Sequence, residues 1–114
     1  MDERKELGKI QRFDVGIGGY QDAMLGVHIA LRGSGWGVGT DICTWSPSHV
    51  AVGEHTKWTE ADRSKTFDEV MRFIDKTLHE AKVMKTQDLI GVPIEATFED
   101  FNKLKSWRIL TEVL

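Results

Sequence analysis

Between Ile10 and Ile17 the side chains alternate, with Phe13, Val15 and Ile17 on one side and Arg12 and Asp14 on the other. A period of two marks a half-buried strand. Gly18-Gly19 ends it, because paired glycines permit a turn with positive φ. Residues 1–8 are mostly charged and are predicted to be frayed. A second strand follows, with Leu25, Val27, Ile29 and Leu31 on one face and Gly26, His28, Ala30 and Arg32 on the other. Gly33-Ser34-Gly35 is its turn, and a third strand is predicted from Trp36 to Trp45, weakened or bulged by Gly37 and Gly39. The first half therefore reads as an antiparallel meander.

Beyond an irregular loop from Ser46 to about Trp58 the period changes. Phe67, Val70, Met71, Ile74, Leu78 and Ala81 recur at helical spacing. Thr59…Asp62 and Thr66…Glu69 both fit a capping box, so the pattern predicts either one helix over about 60–82 or a short helix feeding a longer one. Thr86 to Ile90, closed by Gly91, reads as a single helical turn. Val92, Ile94, Ala96 and Phe98 then alternate with polar residues, Asp100-Phe101-Asn102 turns, and a last strand runs from Lys103 to Val113. It presents Trp107, Ile109 and Val113 on one face and Leu104, Leu110 and Leu114 on the other. Apolarity on both faces of a sheet with one helix layer points to a second subunit. The predicted fold is a single α+β domain over 1–114, its meander and C-terminal hairpin joined in one sheet packed on one long helix.

Composition narrows the function. A 40% hydrophobic share supports a core without disulfides. Fifteen basic against eighteen acidic residues, a formal charge of −3, argue against a DNA or long-RNA coat, which needs a basic stripe. Cys43 is the only cysteine, which excludes an intramolecular disulfide and a multi-cysteine zinc site. No apolar run approaches the ~20 residues that span a bilayer, and MDERKELGK lacks the apolar core of a signal peptide. A cytosolic protein is expected.

Eight of the eleven glycines lie between Gly16 and Gly39, and from Gly16 to Gly53 the only charges are Asp22, Arg32 and Asp41. The glycine spacing matches neither the dinucleotide fingerprint nor a phosphate loop. With Gly33, Gly35, Gly37 and Gly39 at every second position, one strand face is bare backbone, against which a chain, a ring or a ligand packs. Trp36 sits between glycines and is a candidate stacking platform; Trp45 and Trp58 read as pocket walls or as a staple on the helix, and Trp107 as core or interface. A stacked base contributes about 1–3 kcal/mol, and Tyr20 can both stack and donate a hydrogen bond. His49 and Glu54-His55 do not match zinc-protease spacing, His79 reads as surface, and no metal site is expected. None of Ser34, Ser46, Ser48 and Cys43 sits in a recognisable nucleophile setting, so no catalytic residue is assigned. Arg108 shares its predicted face with Leu104 and Leu110, where a guanidinium calls for a carboxylate or a phosphate. Lys57 and Arg63 flank Trp58 at the helix start, where free N–H groups favour anions.

At Gly18-Gly19-Tyr20-Gln21-Asp22, Gly35-Trp36-Gly37-Val38-Gly39, His55-Thr56-Lys57-Trp58-Thr59 and Ser106-Trp107-Arg108-Ile109-Leu110, the chain resembles the first family of phage Thoeris anti-defence proteins. Those are non-enzymatic sponges for the cyclic ADP-ribose signal made by a bacterial TIR-domain enzyme. The resemblance covers nearly the whole chain. It implies capture of glycocyclic ADP-ribose between protomers, a dimer-built assembly up to a hexamer, action in the bacterial host cytosol, no cofactor, and cyclic oligonucleotides at a second site. It assigns no ligand contact to a particular residue here.

The residues themselves suggest adenine on Tyr20, Trp36 or Trp45, pyrophosphate on Arg108 with Lys57 or a neighbouring subunit's cation, and hydrogen bonds from His28 and Thr44. The alternative from another class is a protein-interaction or small virion module whose Trp/Gly surface is a subunit interface. A nucleotide phosphoesterase is a third reading.

Overall fold

The first strand carries the sheet. In the computed structural model, which describes residues 3–114, β1 runs from Arg4 to Gly18. Its first half pairs with β4 (Pro93–Glu99), from Arg4 opposite Phe98 to Lys9 opposite Pro93. From Gly8 onward it pairs with β2 (Met24–Gly33). The segment predicted to fray is therefore a central strand from Arg4 on; residues 1 and 2 lie outside the described residues. β3 (Trp36–Trp45) completes the meander and β5 (Lys103–Ile109) the hairpin, giving an antiparallel sheet of order β3-β2-β1-β4-β5. One helix, α1 (Glu60–Ala81), packs on one face, so the fold is α+β. No helix is long and apolar enough to cross a membrane.

Two bulges set which side chains reach the core. Ile10 faces Leu31 but Arg12 faces Ala30, so Gln11 is an extra residue that reverses the alternation. Ile10 and Phe13 consequently both point inward, at 1% and 3% exposure. In β5, Leu104 faces Phe98 while Ser106 faces Thr97, which makes Lys105 the extra residue. Leu104, Trp107 and Ile109 thus all join the core cluster. The last strand is not apolar on both faces, as its alternation predicts; the bulge gathers its apolar side chains on one, and the strand stops at Ile109 before a short 3-10 turn at Thr111–Val113.

α1 begins where the chemistry predicts. Thr59 Oγ1 accepts from the Asp62 amide at 3.2 Å, and Asp62 Oδ2 accepts from the Thr59 amide at 2.8 Å. Thr66 caps nothing: its hydroxyl donates to the Asp62 carbonyl at 3.2 Å inside one continuous helix. Val70, Phe73, Ile74, Thr77, Leu78 and Ala81 face the sheet. Met71, predicted on that stripe, is 65% exposed, and Phe73 takes its place, stacked on Phe13 and edge-on to Trp107. The helix closes in a Schellman turn, with the Lys82 amide donating to His79 O and the Val83 amide to Leu78 O. Lys82 itself is left-handed, at φ 60°.

Candidate functional site

β4 accompanies β1 only as far as Lys9, and Ile10 exchanges hydrogen bonds with Gly91 and Val92. Beyond Ile10, among the described residues, no strand lies on the β1 edge away from β2. An open edge presents unpaired N–H and C=O groups to whatever settles there. Along it runs a pocket of about 860 Å³, lined by β1 from Arg12 through Gly18, by Gly19, His28 and Asp41, and by Thr86, Gln87 and Ile90 from the turn before β4. Its volume falls in the range of small-molecule sites. Side-chain-poor backbone at Gly16, Gly18 and Gly19 meets half-exposed Val15 and Ile17 and a few polar groups.

His28 is 9% exposed, and both partners of its Nε2 are carbonyl oxygens, Gly16 O at 3.3 Å and Met24 O at 3.2 Å. Only a protonated Nε2 satisfies them. Its Nδ1 lies 3.4 Å from Asp41 Oδ2, directly across the β2–β3 pair. Asp41 is held in turn by the Ile29 amide, which donates to Oδ1 at 3.3 Å. Tyr20 and Trp45 meet edge-on at 6.0 Å at the same end of the sheet, where Trp45 pairs with Met24. The turn carrying Tyr20 places Gln21 and Asp22 in the left-handed region beside Gly19, a local cost of about 1 kcal/mol for each non-glycine residue. Thr44 is half-buried opposite Leu25. His28 and Trp45 share one face of the β2–β3 pair, with Tyr20 against Trp45, while Thr44, opposite Leu25, lies on the other face.

The other expected residues lie elsewhere. Trp36 is no open platform: it packs edge-on against Phe98 at 5.2 Å and covers the bare backbone of Gly8 and Gly33, where any side chain would collide with its indole. Arg108 does not sit among leucines, because the Lys105 bulge turns it to the opposite face. There it donates to Glu112 through Nη1 at 3.0 Å and Nη2 at 2.8 Å, and to Glu95 through Nε at 3.2 Å. Its partners are carboxylates of its own chain. Lys57 is exposed in the loop before α1. Arg63, the other cation flanking Trp58 in the sequence, is 1% exposed under the Trp58 ring, with the guanidinium 4.7 Å from the ring centroid and Nη2 donating to Val50 O at 2.8 Å. Its Nε and Nη1 have no partner among the described residues. The buried Ser46 hydroxyl contacts His49 Nδ1 at 3.1 Å within one tight turn, at 1% exposure.

One pair escaped the sequence reading. Lys9 stands directly opposite Arg32 across β1 and β2, both exposed and neither ion-paired among the described residues. Like charges at a directly opposed position repel. The two line a second, largely apolar pocket of about 580 Å³ with Gly8, Gly33, Ser34 and Gly91, and this pocket shares Ile90 with the first. Arg12, bridged to Asp14 at 3.2 Å, lines the first. Alternation alone would have put Lys9 on the Phe13 face; it is the Gln11 bulge that brings it opposite Arg32. No protein-family model, curated protein or solved structure matches the chain.

Proposed function

We propose that this chain is a non-enzymatic binding protein that sequesters a cyclic nucleotide-type signal in the bacterial host cytosol and so blocks anti-phage signalling. Glycocyclic ADP-ribose is the ligand implied by its sequence resemblance. The observation that carries the reading is the unneutralised Lys9–Arg32 pair in the smaller pocket, which meets the larger one at Ile90. A phosphate between two opposed cations removes their repulsion and gains charge-assisted hydrogen bonds. From there the larger pocket follows the open edge of β1, where glycine backbone lets a flat ring approach closely and Thr86 and Gln87 offer hydrogen bonds. Tyr20 and Trp45 flank the far end. Along β2 that aromatic pair stands roughly 25 Å from Arg32 at ~3.3 Å per residue. One small ligand does not reach both within a single chain, which fits a site completed by a second copy, in a homodimer or higher assembly.

Purified protein loaded with the cyclic signal and then heated should release it intact, as read by mass spectrometry. Cleaved product would move the case to a hydrolase. Binding should also raise the melting temperature, with about 4 kcal/mol of stabilisation at a thousandfold excess over Kd.

A second reading, an interaction or virion module, is favoured by the unpaired β1 edge with Val15 and Ile17 at 54% and 49% exposure beside it. Such a protein would show no thermal shift across a panel of nucleotides.

A further inference from the structure

We propose that His28, Asp41 and Cys43 bind one divalent transition-metal ion of the zinc class. The three lie on one face of the β2–β3 pair, His28 opposite Asp41 and Cys43 two residues further along β3. One ligand atom from each lies within 4.8 Å of the others.

The hydrogen bonds point the donors inward. Nε2–H is committed to the carbonyls of Gly16 and Met24, which leaves the Nδ1 lone pair facing Asp41 Oδ2 at 3.4 Å. A lone pair against a carboxylate is repulsive unless a cation lies between them. Fixing one ring nitrogen by a hydrogen bond so that the other binds metal is the usual way a protein orients a histidine ligand. Two light donors at ~2.0–2.1 Å from a tetrahedral ion are about 3.3 Å apart, close to the separation found. An imidazolium–carboxylate ion pair would also suit His28 and Asp41, but it gives the Cys43 thiol no part.

Cys43 is a free thiol, and a thiol that coordinates a metal is deprotonated. Metal entry forms the S–metal bond and releases the thiol proton to solvent. Nitrogen, oxygen and sulfur donors together select zinc or cobalt(II) over magnesium or calcium. His28 and Asp41 also line the larger pocket, so the fourth coordination position opens into it.

The test uses full-length protein stripped with a chelator and titrated with Co²⁺ alone, without nucleotide. One equivalent should bind, with visible d–d bands and a near-ultraviolet sulfur-to-cobalt band, both abolished by Zn²⁺. Cys43→Ser should lose the sulfur band, and Asp41→Asn should bind at least tenfold more weakly, each with an unchanged far-ultraviolet circular dichroism spectrum. Asp41 is 41% exposed at its side chain, so Asp41→Asn tests the site without disturbing the core. Absence of saturable Co²⁺ uptake by the wild type overturns the proposal, as does uptake that neither substitution changes. No nucleotide enters the experiment, so failure here and failure of the sponge reading are separate results.

Discussion

Trp36 stands edge-on to Phe98, their ring centroids 5.2 Å apart and their planes at 79°. The indole reaches this position because Gly8 and Gly33 have no side chains: a methyl on Gly8 would lie 2.8 Å from Trp36 Cζ2, and one on Gly33 would lie 2.7 Å from the Leu7 carbonyl and overlap the indole nitrogen. The glycine pattern that reads as an open ligand platform is, at these two positions, the seat of a structural ring. Trp36→Ala should therefore cost about 3–5 kcal/mol of unfolding free energy, and Gly33→Ala about 1–3 kcal/mol through overpacking. Urea denaturation measures both. Unchanged stability in Trp36→Ala with loss of nucleotide binding would restore the platform.

Lys82 closes α1 in the left-handed region at φ 60°, where a Cβ costs roughly 1–2 kcal/mol and glycine costs nothing. Part of that gain is lost to the greater freedom of glycine in the unfolded chain. Lys82→Gly should thus stabilise the protein by about 0.5–1 kcal/mol. Lys82→Ala keeps the Cβ and should not.

The elements written into neighbouring residues were legible. The Thr59–Asp62 box and the turn before β4 depend on contacts a few residues long, the bounds of β3 on a hairpin with the strand just before it, and each lies where the pattern predicts. Gln11 and Lys105 were not legible, because a bulge inserts a residue without any local change of composition. Missing the second bulge placed Arg108 among leucines and suggested a second apolar face. The start of β1 was missed for a different reason: its partner β4 lies almost at the other end of the chain, and a short charged segment alone does not bury enough to declare a strand. Arg63 shows the same limit, since only the folded loop through Val50 and Trp58 covers it. At the site, alternation placed His28 on the outer face correctly, while the Lys9–Arg32 pair needed the register.

Arg108 and Glu112 set a pH signature. The bidentate hydrogen bonds from Arg108 hold the Glu112 carboxyl at about 2, well below the usual range. A folded value below the unfolded one means that the pair's contribution is fully present above the ordinary carboxylate range and is lost as pH falls toward 2. Both groups are solvent-exposed, so salt weakens the contribution. A side-chain carboxyl NMR titration should place the Glu112 midpoint near 2 in the wild type and shift it upward, toward the ordinary carboxylate range, in Arg108→Ala. A wild-type midpoint in the ordinary range would show that the pair does not persist in solution.

Lys9 and Arg32 separate the two functional readings. If the pair receives a phosphate, Lys9→Ala and Arg32→Ala should each weaken nucleotide binding about tenfold or more, equivalent to about 1.4 kcal/mol, and reduce its dependence on salt. Stability should not fall. Relief of like-charge repulsion should leave it unchanged or raise it by a few tenths of a kcal/mol. Arg108→Ala is the internal control, because its guanidinium is already engaged by Glu95 and Glu112, and it should bind nucleotide as the wild type does. Isothermal titration calorimetry at two salt concentrations reads all three variants. Full binding by Lys9→Ala and Arg32→Ala together with loss in Arg108→Ala would move the anion site from β1–β2 to β5 and remove the observation on which the sponge reading stands.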